Sequence, residues 1–297
     1  MKLKQFLSRK YNQFKVILLS KYSKDDIPVI RAKYFYKNQT ALNLDNPKEF
    51  MEKIQWLKLF HYKEEYSKFV DKIDVRSYVE RKIGKQYLNE IIGIYDSVDE
   101  IDFQNLPNQY VAKGTHGSGY NIIVKDNSVV EIDNIKRKLK SYLKGNYYYR
   151  NRELVYKNIN PRILIEKYIS DTEDSGIIDY KFYCFHGQPK YILVKRNENG
   201  IEKKAFYDLQ WNRVFCNKNP SNFIDFQIQK PVNFDKMLEL AAVLSKEFIF
   251  IRVDLYSVVN SIIFGELTFF PGGGNRRLPI DYLNQEMGDL INLPILE

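Results

Sequence analysis

The spacing of apolar residues changes character along the chain. Over residues 1–24, Leu3, Phe6, Leu7, Tyr11, Phe14, Ile17 and Leu18 recur at helical intervals with lysines between them, which predicts an amphipathic helix. Asn46-Pro47-Lys48-Glu49 combines a cap residue, a proline at the first helical position and an acid at the third. A helix is therefore predicted to start there and run through Phe50, Ile54, Trp56, Leu57 and Phe60. Another is expected over about 64–83, stopped by Gly84. From about residue 91 the pattern turns to strands. They are predicted over 91–95, 109–113, 121–125, 162–169, 179–185, 189–196, 203–208, 249–256 and 261–268, with helices at about 131–144, 233–247 and 282–291. His186-Gly187-Gln188-Pro189 reads as a hairpin turn. Strands in runs with scattered helices imply the α+β class with mainly antiparallel sheets. No internal repeat, low-complexity tract or long linker interrupts the pattern.

Charge changes the picture only at the N-terminal segment. Residues 1–24 hold Lys2, Lys4, Arg9, Lys10, Lys15, Lys21 and Lys24 and no acid. The chain as a whole has 46 basic and 37 acidic residues, so the remainder is near neutral. No broad phosphate-tracking face is evident, and no nucleic-acid partner is expected. The longest apolar run in the segment, Val16–Leu19, is too short for a membrane span or a signal-peptide core. Two readings stay open: a basic helix lying on an anionic membrane surface, or a helix docked on the body with a solvated basic face. The 297 residues suffice for one large domain or two smaller ones, and 23 Tyr and 19 Phe predict a core rich in rings. Cys184 and Cys216 form neither a metal-type pair nor a disulfide framework, which fits a reducing cytoplasm.

Two stretches carry candidate chemistry. "VAKGTHGSGYNIIVKD" (111–126) is a hairpin with three glycines in its loop, Gly114, Gly117 and Gly119, and lysines at Lys113 and Lys125. It is either an exposed turn or a backbone that folds over a phosphate. It is not a P-loop, which needs a different glycine and lysine spacing, and it lacks the third glycine of a dinucleotide fingerprint. His61, His116 and His186 show no zinc spacing, and no Asp-x-Asp occurs. "IRVDLYSVVNSIIFGELTFFPGGG" (251–274) reads as a hairpin ending in a glycine-rich turn. Arg252 and Asp254 share one strand face, as do Glu266 and Thr268. A turn near Ser257–Ser261 sets Asp254 and Glu266 roughly opposite each other. Two such carboxylates repel unless a cation lies between them, and Mg²⁺ suits hard oxygen ligands. The alternative is a solvated face.

The glycine-rich hairpin, "ILIEKYI" (163–169), "DYKFYCFHGQP" (179–189) and "RVDLY…GELTFFPGGG" follow one another in this order. In that order the chain resembles the ATP-grasp superfamily. It is more closely similar to the TupA-like group, linked to teichuronopeptide and other surface-polysaccharide synthesis. "NPKEFMEKIQWLKL" (46–59) and "FVDKIDVRSYVERKIG" (69–84) extend the likeness over roughly residues 35–275. The resemblance implies an α+β ATP-grasp fold, two α+β subdomains holding ATP between them, preceded by N-terminal helices. The implied divisions are 1–40 for the basic helical segment, 41–90 for a helical part, 91–170 for the subdomain with the phosphate loop, and 171–297 for the one with the metal hairpin.

The resemblance also assigns residues. Lys113 contacts phosphates, helped by Lys72 or Arg76, and Gly114, Gly117, Ser118 and Gly119 cover them with backbone N–H groups. Glu166, Lys167 and Ile169 border adenine, Asp179 the ribose, and Lys181 reaches toward the phosphates. Asp254 and Glu266 are the implied Mg²⁺ ligands, and Arg252 neutralises the transferring phosphoryl group. Thr268 stands where many relatives have asparagine, which leaves a second metal site open. The implied activity is an ATP-dependent carboxylate–amine ligase that forms an amide through an acyl phosphate. Its substrates would be a uronic acid or peptide carboxylate, free or lipid-linked, and an amine such as an amino acid. Another transferase or kinase on the same fold, or a non-catalytic membrane-associated scaffold, are the rival expectations. Tyr120, Asn121 and Pro271–Arg277 are where acceptor contacts are expected, with Arg276 and Arg277 either binding an anionic sugar or solvated. Tyr147–Tyr149 with Arg150 and Arg152 read as packing or as a sugar or lipid contact.

Overall fold

The strand-forming part of the chain makes two sheets, each covered by its own helices. The computed structural model describes residues 2–170, 177–198, 201–215, 223–224, 226–258 and 261–295. Helices α1 (Lys2–Tyr22) and α2 (Asp26–Asn38) come first, followed by α3 (Phe50–Phe60), α4 (Ser67–Val70) and α5 (Val75–Ile83). Strand β1 (Ile91–Tyr95), β2 (Tyr110–Gly114) and β3 (Asn121–Val124) precede α6 (Ile132–Lys144) and α7 (Tyr148–Asn151), and β4 (Ile163–Lys167) follows. These strands form a four-stranded sheet ordered β1-β4-β2-β3, every pair antiparallel. Alternate burial along β2 turns Tyr110 and Ala112 into a small core with Ile163, Ile165 and the α6 residues Ile135 and Leu139.

The second sheet holds β5 (Asp179–Phe185), β6 (Gln188–Glu198), β7 (Ile201–Tyr207), β8 (Arg213–Val214), β9 (Phe250–Val258) and β10 (Ser261–Thr268), with α8 (Phe234–Ser245) between β8 and β9 and α9 (Asp281–Asp289) after β10. Its order is β10-β9-β5-β6-β7-β8, again with antiparallel pairs. β5 is central and covered on both faces. Phe182 meets Phe234 of α8 on one side, while Tyr183 and Phe185 meet Phe50 of α3 on the other. Gly288 lets α9 approach the start of α3, because a Cβ there would fall 2.1 Å from the Lys48 carbonyl oxygen. His186 and Gly187 both take positive φ and close the β5–β6 hairpin as the sequence predicts. Cys184 is buried in this core, and burial pushes its thiol up to about 12. Cys216 lies outside the described residues.

Two helix expectations need correction. The helix anticipated at Asn46-Pro47 begins at Phe50, with Glu49 as its cap residue. Glu52 Oε2 accepts from the backbone N–H groups of Lys48 (2.9 Å) and Glu49 (3.1 Å), so the acid that fixes the start lies three residues past the one in the sequence motif. The single helix expected over 64–83 is broken into a 3₁₀ turn at Glu64–Tyr66, α4 and α5. Asp71 causes the break. Its Oδ1 accepts from the N–H groups of Ile73 (2.8 Å) and Asp74 (3.0 Å), replacing helical bonds, and it also receives Arg162 at 3.0 Å. The C-terminal end at Gly84, φ +110°, is as expected.

The α1–α2 corner is fastened to the body. Buried Arg152 reaches Asp26 (3.1 Å) and the carbonyls of Ser20 (3.0 Å) and Ser23 (3.2 Å). Tyr147 and Tyr148 are buried beside it, so this tyrosine run packs, while Tyr149 stays exposed.

Candidate functional site

The break at Asp71 has a local effect: it delivers Lys72 into the glycine loop. Lys72 Nζ donates to the carbonyls of Gly114 (3.1 Å) and Gly117 (2.5 Å), and its N–H donates to Thr115 O at 3.3 Å. Burial lowers the Lys72 ammonium to about 8, opposed by the nearby Glu266 charge. The first half of the loop is consequently fixed. His116 is buried, its Nε2–H shared between the carbonyls of Tyr142 (3.0 Å) and Gly145 (3.1 Å), a neutral ring favoured by burial. Gly117 is required by packing, since a Cβ would meet the rings of Tyr120 and Tyr147 at 2.8 Å. Only Ser118 and Gly119 form an exposed tip.

Lys113, one residue before the end of β2, shares a sheet face with Glu166 of β4. Its Nζ lies 2.5 Å from Glu166 Oε2, and Arg76 of α5 reaches Oε1 at 3.2 Å. Glu166 is thus a buried carboxylate held between two cations. Lys72, Arg76, Lys113, Glu166 and Ile169 form one wall of a narrow cleft of about 30 Å³. Tyr256 and Gly265 of the other sheet form the opposite wall. Lys167 is not part of it: its side chain turns to the surface and pairs with Glu90 at 3.2 Å.

The register of three strands builds a charged row behind this cleft. Lys181 of β5 stands opposite Asp254 of β9, which stands opposite Glu266 of β10. The neighbouring row is Tyr183, Arg252 and Thr268, and Asp179 stands opposite Tyr256. All of them project from one sheet face, because paired residues point the same way and the side-chain period is two. Asp254 has no solvent exposure. Its oxygens receive Arg252 Nε (2.6 Å), an Arg252 terminal nitrogen (2.7 Å) and Lys181 Nζ. Lys181 also pairs with Asp179. Glu266 Oε1 receives Arg252 (2.9 Å) and the Thr268 hydroxyl (2.9 Å), while its side chain keeps 37% exposure. Burial alone would raise the Glu266 carboxyl. The charges of Arg252, Lys181 and Lys72 outweigh it and hold the group at about 2. Asp179 moves the opposite way: burial raises it, opposed by Lys181 and reinforced by Asp254.

A sequence profile of the family described as TupA-like ATPgrasp matches residues 52–292. The chain belongs to the TupA-like ATP-grasp family. Its fold is the ATP-grasp fold, α+β with mainly antiparallel sheets preceded by N-terminal helices. Among solved structures, the D-alanine–D-alanine ligase of Bacillus anthracis complexed with ATP is 14% identical with a TM-score of 0.43, the match covering 75% of this chain and 64% of that one. ATP-grasp ligase PsnB complexed with minimal precursor is 10% identical, TM-score 0.41, with 76% and 60% covered. The D-cycloserine synthetase DcsG is 10% identical, TM-score 0.38, with 75% and 69% covered. This chain spans about 64% of the length of the Bacillus anthracis ligase, and the family match rather than these distant likenesses carries the assignment. No curated protein matches the sequence.

In this TupA-like chain the site also contains groups that sequence reasoning passed over. Tyr256 stands in the cleft wall, its hydroxyl driven far up by burial and by the carboxylates Asp179, Glu266, Asp254 and Glu166 around it. Its place two residues after Asp254, on the same strand face, was the available signal. Lys58 is fully buried and donates to the carbonyls of Asn151 (3.0 Å) and Gly273 (2.9 Å). A lysine in an amphipathic helix gives no hint of this. Arg277, an expected acceptor contact, is engaged by Glu49 at 2.5 Å.

Proposed function

We propose that this chain is an ATP-dependent carboxylate–amine ligase whose nucleotide enters between the two sheets, where the cleft of about 30 Å³ must widen to admit it. One observation supports this most: basic Lys72, Arg76 and Lys113 line one wall, and the Lys181–Asp254–Glu266 row lies behind the other. Adenine would sit along Glu166–Ile169, with Lys167 contributing backbone only, and the ribose near Asp179. Lys113, Lys72 and Arg76 would meet the phosphates. Among the described residues no cluster of three or more acidic, histidine or cysteine side chains could hold a metal alone. The donor set still fits Mg²⁺ shared with phosphate oxygens. Glu266 has its second carboxylate oxygen unbonded and is partly exposed, and Asp254 and Thr268 flank it. Asp254 is saturated by Arg252 and Lys181 here, so it would ligate as those cations turn to phosphate. A bound Mg²⁺, held by Glu266 with Asp254 and Thr268, would supply Lewis-acid neutralisation of phosphate charge.

The chain's own residues then position the reaction. A substrate carboxylate oxygen attacks the γ-phosphorus, and the β–γ bridging oxygen leaves with ADP. Arg252 and Lys181 neutralise the transferring group. An amine nitrogen next attacks the acyl carbon, loses a proton and expels phosphate, leaving an amide. By family resemblance the carboxylate belongs to a cell-surface polysaccharide precursor and the reaction is cytoplasmic. The test is ADP release. With Mg²⁺-ATP, a uronic acid and an amino acid supplied together, ADP is expected at well above the rate with either omitted, and Arg252→Met should lower it about 10²-fold or more. ADP release indifferent to any carboxylate or amine, with a phosphorylated sugar as product, would put a kinase in its place.

A membrane contact is proposed from α1. Leu7, Tyr11, Phe14, Leu18 and Tyr22 recur three or four residues apart and are exposed, Tyr11 at 67%, while Val16 and Leu19 turn inward. The more apolar stripe thus faces outward, flanked by Lys10, Lys15 and Lys21. No helix among the described residues is long and apolar enough to cross a membrane. An in-plane contact with anionic lipid matches the stripe and its charge. Sedimentation with phosphatidylglycerol vesicles is expected, weakened by salt and by Phe14→Glu. Equal recovery with phosphatidylcholine vesicles would remove the proposal.

A further inference from the structure

A second cavity lies on the side of the charged row where β10 ends. Helices α1 and α2, the end of α7 and the turn after β10 enclose a hollow of about 490 Å³, within the size range of small-molecule sites. Lys33, Lys37, Arg150 and Arg276 all border it, together with Tyr36, and no acidic side chain does. Four cations around one space make it attractive to an anion, with the buried Glu153 carboxylate behind the wall as the acid whose charge acts on Lys33 and Arg150. Lys33 is half-buried, its Nζ donating to Arg150 O at 2.6 Å, and Lys37, Arg150 and Arg276 are exposed.

The wall is built rather than incidental. Gly272, Gly273 and Gly274 take φ of +60°, +66° and +69°, a left-handed run that side chains resist. Behind it, Lys58 ties Gly273 O to Asn151 O, and Asn275 donates to Asn151 Oδ1 at 3.0 Å. Gln55 reaches Gly273 O and Asn275 Oδ1, both at 3.2 Å. The turn and the Asn151 segment are therefore held in one place. They also adjoin the charged row: Thr268 precedes the turn by three residues, and the charge of Glu266 acts on Glu153 and Tyr156 just beyond Asn151. Lys33, Tyr36 and Lys37 come from α2, which lies before the family-matched residues 52–292.

We propose that this hollow binds a polyanionic co-substrate, a molecule with two or more carboxylate or phosphate groups, with α2 and Arg276 gripping the groups that do not react. That the anion is a co-substrate rests on the ligase reading. Calorimetric titration of the full chain with trigalacturonate, tri-glutamate and inorganic phosphate, with maltotriose as the neutral control, tests the site. At least one anion is expected to bind and maltotriose not to. The double variant Lys37→Gln/Arg276→Gln, both exposed positions, should weaken the anion about tenfold or more and leave Mg²⁺-ATP binding unchanged. Tighter binding of trigalacturonate or tri-glutamate than of inorganic phosphate, which carries a single group, supports a polyanion site, and binding of phosphate alone overturns it. No anion binding, or equal binding by the variant, overturns the proposal. Loss of Mg²⁺-ATP binding in the wild type with anion binding intact would instead defeat the ligase reading alone.

Discussion

Arg252→Met is expected to destabilise the fold by roughly 3–5 kcal/mol, the cost of leaving a buried ion pair half-made. The guanidinium contacts both oxygens of Asp254, one of Glu266 and the Thr268 hydroxyl. A methionine fills much of the space and returns none of those bonds. Asp254, without solvent exposure, keeps Lys181 as its remaining cation, which places the expected loss toward the lower end. Urea denaturation measures it directly. A loss under about 1 kcal/mol would mean that the row is solvated and contributes little. The acid limb supplies a second signature. Glu266 in the folded protein sits at about 2, below its ordinary 4.5, so the unfolded chain binds the extra proton between those values. Its contribution is complete above about pH 4.5 and is lost as pH falls toward 2. Arg252 is the main charge lowering this group, so in Arg252→Met the acid-side loss of stability should be shallower than in the wild type. An unchanged slope would contradict the assigned cause.

The strand half of the fold was legible because its signal is local. Period-two alternation placed nine of the ten described strands within a few residues and missed only the two-residue β8, and the β9–β10 hairpin put Asp254 opposite Glu266 as the turn position implied. Family likeness inferred over roughly 35–275 is met by a match over 52–292. What the sequence hid depends on distant partners. The break before α5 is made by Asp71 accepting from Ile73 and Asp74, and that carboxylate is held in turn by Arg162, 91 residues away. The glycine loop read as a pliable cover, yet Gly117 is set by the rings of Tyr120 and Tyr147, and Lys72 fills the loop from another element. Nothing in the helical pattern around Lys58 marks it, and the path of the Gly272–Gly274 turn makes it a buried tie. Arg277, read as an anionic-sugar contact or a solvated residue, is held by Glu49, the cap residue of α3.

Binding of Mg²⁺-ATP is the other large expected effect. The cleft residues Lys72, Arg76 and Lys113 are cationic, and among the described residues all three pair only with Glu166 or with backbone carbonyls. A triphosphate therefore replaces weak neutralisation with strong. Glu266→Gln keeps the shape of the site and the bond from Thr268, and it removes the charge of a partly exposed carboxylate whose second oxygen is unbonded among the described residues. A ligand at a hundred times its Kd adds about 2.7 kcal/mol to the wild type, several degrees in Tm. The direct measurement is thermal unfolding of wild type and Glu266→Gln with and without Mg²⁺-ATP. The proposed site predicts a Mg²⁺-dependent rise in the wild type that largely disappears in the variant. No rise in a well-folded wild type, or an equal rise in Glu266→Gln, would contradict it.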